Sequence, residues 1–497
     1  MIPAIRLSPD DDVAVLVAAA GAGDPVLDVV ALGPIAAGHK IAVRPVDAGS
    51  VVHKYGEPIG IATQAIRPGE HVHDHNLQLP TGGIPHRAVG RAHRDLTPGA
   101  GAFFEGYRRG DGRVGTRNAI GIVASVNCSA TVVRRIARAF EDGLPEGIDA
   151  IVPLTHSGGC GMASSGEAFD TLARTLSGFA RHPNFGGVLL IGLGCEVAQI
   201  ERLVADDYLA TSERVQTLNI QTAGGTAEAI EAGTRIVRNL IEAARHDRRE
   251  RCPASDLILG LQCGGSDGWS GITANPALGN ASDRLIAAGG TALLSETPEI
   301  FGAEHLLYAR SAHDGIADAL AERVAWWEAY AASNGASLDN NPSPGNKAGG
   351  LTTIYEKSLG AIAKAGSAPL NEVVHYAQRP TRAGLVFMDS PGYDPCSATG
   401  QIASGANLLA FTTGRGSIFG SQPTPCLKLA SNAALAARMT NDIDIDCSPI
   451  LTGTAIEDVG ASIFDLLLQT ASGRRTKSER NGLGDFEFVP WRLGAWL

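Results

Sequence analysis

The stretch "AIGIVASVNCSATVVRRIARAFE", residues 119–141, decides the fold. It reads as an apolar strand, a short loop carrying Cys128, and an amphipathic helix. The same order returns in "IDAIVPLTHSGGCGMASSGEAFDTLARTL" (148–176), "GVLLIGLGCEVAQIERLV" (187–204) and "LILGLQCGGSDGWSGITANPALGNASDRLIAAGG" (257–290). "TALLSETPEIFGAEHLL" (291–307) and "AGLVFMDSPGYDPCSATGQIASGANLLAFTTGRGS" (383–417) continue it. Strands that alternate with helical patterns predict parallel sheets joined by crossover helices. The charged stretch "ARHDRRERCPASD" divides the series into one α/β domain at 106–245 and a second at 252–497.

Residues 1–76 have a different texture. "AGHKIAV", "AGSVVHK" and "PGEHVHD" each place a glycine before a short apolar run, at Gly38, Gly49 and Gly69. Glycine turns feeding short strands predict a small all-β module. His53 and His73 hold matching places in the second and third copies. Residues 77–105, rich in Pro and Gly and without periodicity, read as a linker.

Composition bounds the function. A chain of 497 residues predicts several domains, and a formal net charge of -11 argues against a nucleic-acid partner. No apolar run is long enough for a membrane span, and the first residues show no signal-peptide pattern, so a cytoplasmic enzyme is expected. The chain holds 61 glycines, clustered in short loops, as expected of a large site built from backbone close to a ligand. The eight cysteines form no short-spaced pairs and read as thiols or ligands rather than disulfides.

Ligands bind beyond the carboxyl ends of strands in open α/β sheets. Cys128, Cys160, Cys195 and Cys263 each follow an apolar strand, and all but Cys128 sit among glycines. Free cysteine is commonly a small buried hydrophobe. Cys160, Cys195 and Cys263 together favour a ligand-facing site for iron, zinc or an iron–sulfur cluster. In "GEHVHDHN" (69–76), histidines at 71, 73 and 75 would share one face of a strand, against an ordinary histidine's role at the surface or in the core. His73 and His75 are expected to bind metal or an anionic substrate, with His71 nearest the turn. "NPSPGNKAGG" (341–350) offers Lys347 for a carboxylate or for proton transfer, or simply as a solvated loop lysine. "TGRGSIFG" (413–420) offers Arg415 as a bidentate carboxylate clamp. Asp267 and Glu296 follow strands as candidate ligands or bases, though isolated acids are more often caps. No Walker motif or full dinucleotide fingerprint appears, which disfavours ATP and NAD.

The segments "GEHVHDHN", "GLGCE", "GLQCGGSDGWSGITANPALG", "NPSPGNKAGGLTTIYEKSLG" and "TGRGSIFG" resemble the altronate/galactarate dehydratase family over nearly the whole chain. The resemblance implies a small N-terminal SAF-type (β-clip) domain ahead of the two α/β domains. It also implies a hydro-lyase for a sugar acid that depends on a divalent metal, typically Fe2+, with Mn2+ or Mg2+ as substitutes. By matching positions the histidine segment and the GC, GCE and QCGGSD loops are implied active-site elements; the residues expected to be catalytic are His73, His75, Lys347 and Glu296, with Arg415, Asp267, Asn275 and Asn346 expected to hold substrate. The implied metal set is His73, His75, Cys160, Cys195 and Cys263. A homo-oligomer is expected. Two other readings remain open at this point. One is an iron–sulfur lyase of another hydroxy acid such as sulfolactate, using Cys160, Cys195 and Cys263. The other is a sugar-acid-binding protein without catalysis.

Overall fold

The computed structural model describes residues 1–80, 83, 84, 96 and 101–494. Residues 1–80 form the expected β module. One antiparallel sheet joins Ala4–Ile5, Val13–Leu16, Lys40–Ala42 and His71–Val72, and another joins Val51–Lys54, Glu57–Ala62 and Leu77–Gln78. Gly38, Gly49 and Gly69 all have left-handed φ, between 82° and 89°, which explains a glycine at the head of each repeated strand.

The middle domain is a parallel sheet of four strands: β1 (Ala119–Ala124), β2 (Ile151–Leu154), β3 (Phe185–Gly192) and β4 (Val215–Asn219), in the order β2-β1-β3-β4. Strand β3 is buried along its whole length, as an unbroken apolar run flanked by helices should be. The last domain is a parallel sheet of seven. Its strands are β5 (Ile258–Cys263), β6 (Thr291–Leu294), β7 (Leu370–Val374), β8 (Gly384–Met388), β9 (Leu408–Thr413), β10 (Cys426–Ala430) and β11 (Ile445–Asp446). Their order is β7-β8-β6-β5-β9-β10-β11, so β5 and β6 lie at the centre.

The expected linker at 77–105 needs correction at both ends. Leu77–Gln78 completes a sheet of the N-terminal module, and Phe103–Arg108 is a strand. That strand pairs with Glu250–Pro253 on one side and Val114–Gly115 on the other, so chain entering the middle domain lies beside chain leaving it. Most of the segment between lies outside the described residues. Among the described residues, no helix is long and apolar enough to cross a membrane.

The N-terminal module docks on the last domain through buried charge. Lys40 and Lys54 place their ammonium groups 2.9 and 2.8 Å from the two carboxylate oxygens of Glu356, with all three side chains essentially inaccessible. Lys40 also donates to the Gly350 carbonyl, and Thr352 donates through both its amide and its hydroxyl to Glu356. Burial alone would raise the Glu356 carboxyl, but the two lysines hold it well below the usual carboxylate range. Removing one partner of a buried pair leaves the other charge uncompensated, at a cost of about 3–5 kcal/mol. Glu356→Ala is therefore expected to lower the denaturation midpoint and to open residues 1–80 to protease. Unchanged urea unfolding and an unchanged cleavage pattern would contradict this role.

Candidate active site between the module and the last domain

The strand carrying the histidines ends sooner than their alternation suggests. His71–Val72 pairs with Lys40–Ile41, and the chain then turns. Asn76 closes the turn, its side chain accepting from the His73 amide at 2.9 Å and donating to the His71 carbonyl at 2.9 Å. A strand and a turn thus gather rings that an extended run was expected to align. His39, which the sequence reading passed over, joins them. Ring centres of His39 lie 5.1 Å from His71 and 5.2 Å from His73, while His71 lies 5.3 Å from His73 and 5.4 Å from His75.

Their partners define the tautomers. His73 Nε2 donates to the Lys347 carbonyl at 2.9 Å, and His39 Nε2 to the Ala348 carbonyl at 3.3 Å. Neutral His39 then has its lone pair on Nδ1, which lies 3.0 Å from His71 Nε2 and accepts its proton. The nitrogens left with lone pairs are Nδ1 of His71 and Nδ1 of His73. Burial lowers the pKa of His39 and His73. Burial, then the neighbouring imidazoles, brings His71 down to about 3. His39, His71 and His73 are therefore neutral at physiological pH, and the free nitrogens of His71 and His73 are bases.

The facing wall comes from the last domain. Lys347 sets Nζ 3.1 Å from Asp74 Oδ2, next to His73 in the chain. Close backbone approach makes this contact possible: a Cβ on Gly350, whose φ is 104°, would lie 2.3 Å from the Gly38 carbonyl oxygen. Arg415 is exposed on the loop after β9, its amide donating to the Gly265 carbonyl at 2.7 Å. Its guanidinium makes no hydrogen bond or ion pair among the described residues. Three expected substrate contacts have polar atoms that are used within the fold. Asp267 accepts from Ser270, Ser431 and Asn432, and packs so tightly on Gly414 that a Cβ there would meet its Cγ at 2.1 Å. It positions the Arg415 loop. Asn346 ties the Lys347 loop to the Ser266 carbonyl at 2.8 Å, and Asn275 bridges the Gly360 carbonyl and the Thr412 hydroxyl.

Beneath this cleft, at the carboxyl ends of β5 and β6, lies a buried charged cluster. Lys364 Nζ is 2.8 Å from Cys263 Sγ, and Lys357 Nζ is 2.5 Å from Glu299 Oε1. Glu296 has a left-handed backbone (φ 74°), and both its carboxylate oxygens lack hydrogen-bond partners, with Lys364 Nζ 3.8 Å away. Burial, followed by the Glu299 charge, pushes the Glu296 carboxyl well up and brings Asp394 to about 7; burial also lifts the Cys263 thiol to about 11. Glu299 stays low despite its burial, because Lys357 pairs with it. Among the described residues, Cys263, Glu296 and Glu299 form the one group of three donors lying within 4.8 Å of one another. A small cavity lined by Cys263, Asp267, Glu356 and Lys357 adjoins it.

The expected metal set is not assembled. Cys263 is buried against Lys364 and Glu299, whereas Cys160 and Cys195 are exposed on loops of the middle domain. His73 and His75 belong to the imidazole cluster, and neither shares a three-donor group with a cysteine. Glu299, Lys357, Lys364, Asp394 and Asp74 were not anticipated. Lys357 and Glu356 sit in the quoted segment "NPSPGNKAGGLTTIYEKSLG", where adjacent charges inside an otherwise apolar helix were the available signal.

Three family descriptions match consecutive parts of the chain. They are the altronate/galactarate dehydratase SAF domain over 2–80, the D-galactarate dehydratase/altronate hydrolase second domain over 106–245, and the D-galactarate/altronate dehydratase C-terminal domain over 254–496. Galactarate dehydratase (L-threo-forming) of Escherichia coli is 39% identical, covering 90% of this chain and 88% of the relative. Altronate dehydratase of the same organism is 37% identical over 93% of this chain and 92% of its own. The beta subunit of (2R)-sulfolactate sulfo-lyase from Chromohalobacter salexigens is 35% identical, covering 79% of this chain and 98% of the subunit.

The neutral imidazoles carry a pH signature. Unfolded chain takes up a proton at His71 near the ordinary value of 6.5, while folded chain resists until about 3. Stability therefore falls as pH drops through that window and is unaffected by this group above it. His71→Gln is expected to flatten the acid limb of a stability–pH curve between about pH 6 and 4. An unaltered slope would show that His71 is not buried in the neutral form.

Proposed function

Because the chain belongs to the D-galactarate/altronate dehydratase family and is a hydro-lyase, we propose that it dehydrates a sugar acid in the cleft between its N-terminal module and its last domain. The substrate is an aldonate of the altronate type or an aldarate of the galactarate type, and the product is a 2-keto-3-deoxy acid. The carrying observation is the neutral imidazole cluster seated on the Lys347–Ala348 carbonyls, with Lys347 beside it and Arg415 on the neighbouring loop.

The chemistry asks for these groups. The hydrogen α to a carboxylate is a weak acid, and its removal leaves an enediolate whose charge must be stabilised. Arg415 and Lys347 bind and neutralise carboxylate oxygens in a protein of net negative charge. Nδ1 of His73 takes the α-proton. The C3–O bond then breaks, with a proton delivered to the departing hydroxyl to make water, and the enol ketonises by protonation at C3. His75, at the exposed edge of the cluster, is placed to pass protons to solvent.

A divalent metal fits the buried cluster better than the histidines. Cys263, Glu296 and Glu299 have donors close enough for one ion, and the unpartnered oxygens of Glu296 await a ligand or a proton. Four acidic groups there (Cys263, Glu296, Glu299 and Asp394) face two lysines, so a dication would balance the full set. Fe2+, or Mn2+ or Mg2+ in its place, supplies Lewis acidity when bound.

The test is an anaerobic assay of the purified full-length protein with Fe2+ on altronate, galactarate and sulfolactate, with and without a chelator. A 2-keto-3-deoxy acid from one of the sugar acids, abolished by the chelator, is expected. Sulfite from sulfolactate without any keto acid from the others would overturn the reading. His73→Gln should lower kcat by about 100-fold or more, as loss of a general base does. Arg415→Ala should act mainly on KM, by about tenfold or more, as loss of a charge-assisted contact does. Parent-like kinetics in both variants would move the reaction out of this cleft.

A further inference from the structure

Cys128, Cys160 and Cys195 are exposed, whereas the chain's other five cysteines are buried. Each of the three follows one of the adjacent strands β1, β2 and β3 of the middle domain, on the loop leaving its carboxyl end. The strands are parallel and neighbours lie about 4.8 Å apart, so the three loops share one edge about 10 Å wide.

Every pair of these loops is joined directly. The Asn127 amide donates to the Gly158 carbonyl at 3.0 Å, linking the Cys128 and Cys160 loops. The Ala198 amide donates to the Gly159 carbonyl at 3.1 Å, linking the Cys160 and Cys195 loops. The Ser125 hydroxyl donates to Glu196 Oε1 at 2.9 Å, linking the Cys128 and Cys195 loops. Glu196, itself buried, also accepts from the Gly194 amide at 2.6 Å. Gly159 presses on the Cys128 loop so closely that a Cβ would lie 2.3 Å from the Ser125 carbonyl oxygen. From the loop after β4, Gln221 Nε2 lies 3.5 Å from Cys195 Sγ, a donor placed to stabilise a ligating sulfur.

We propose that these three thiols hold a [4Fe–4S] cluster with one iron lacking a protein ligand. A single tetrahedral ion keeps its thiolates about 2.3 Å from the metal and hence within about 4 Å of one another. Cys128, Cys160 and Cys195 form no three-donor group that tight, so a polynuclear cluster suits them better than zinc. Cys128 takes the place expected of Cys263, which lies in the core of the other sheet. The iron without a thiolate is free to take an oxygen ligand.

The test is metal and sulfide analysis of full-length protein, purified anaerobically and reconstituted with ferrous iron, ferric iron and sulfide. About four iron and about four acid-labile sulfide per chain are expected, with broad visible charge-transfer absorption. Cys128→Ala, Cys160→Ala and Cys195→Ala should each lose most of the sulfide and colour while keeping the far-UV circular dichroism of the parent. Cys263→Ser should retain both. Iron without sulfide, zinc in the protein as isolated, or parent-level sulfide in the Cys195→Ala variant would each overturn the proposal.

Discussion

The ion triad of Lys40, Lys54 and Glu356 governs the relation between the module and the rest of the protein. Each lysine comes from a different sheet of the N-terminal module, and the carboxylate comes from a helix of the last domain. Desolvating three charges is expensive, and an apolar contact of the same size would hold the module at least as firmly. Charge adds geometric definition. One docking pose satisfies both ammonium groups, and in that pose His39, adjacent to Lys40, meets the Ala348 carbonyl. Binding of the module and orientation of the imidazoles are therefore one event.

The site divides into two layers with opposite electrostatic character. The upper layer is a group of imidazoles bordered by Lys347, paired with Asp74, and by the exposed Arg415. The lower layer is a sealed network of thiol, carboxyl and ammonium groups beneath the central strands. Only an interface between separate folding units puts them next to each other, because a β module contributes the first and the ends of a parallel sheet contribute the second.

Much of the architecture was legible. Repeated strand–loop–helix order predicts two parallel sheets, and glycines 38, 49 and 69 predict the turns of the module, because both depend on local pattern. The short strand Phe103–Arg108 was hidden because its longer pairing is with Glu250–Pro253, far off in the chain, and its sequence is glycine-flanked. At the site, His73, Lys347 and Arg415 stand out in the sequence as unusual residues in unusual loops, and the fold brings the His73 ring onto the Lys347 carbonyl. Asp267, Asn275 and Asn346 spend polar atoms on their own fold, which the sequence does not reveal, because a polar residue in a glycine loop looks the same whether it faces a ligand or its own backbone. His39 was missed because only strand pairing brings it to His71. Lys357, Lys364 and Glu299 become a cluster through tertiary packing alone, and spacing carries no trace of that.

The antiparallel pairing of Phe103–Arg108 with Glu250–Pro253 gives the middle domain the form of a cassette. Its two chain ends are held side by side as hydrogen-bonded strands, about 4.8 Å apart. Everything between them is a closed excursion from a scaffold made of the first and third units. A short peptide would span the gap, but the excursion also shares a hydrophobic core with the last domain, where Phe169 and Phe179 cluster with Phe411 and Trp491, so removing it would strip apolar cover from the second sheet.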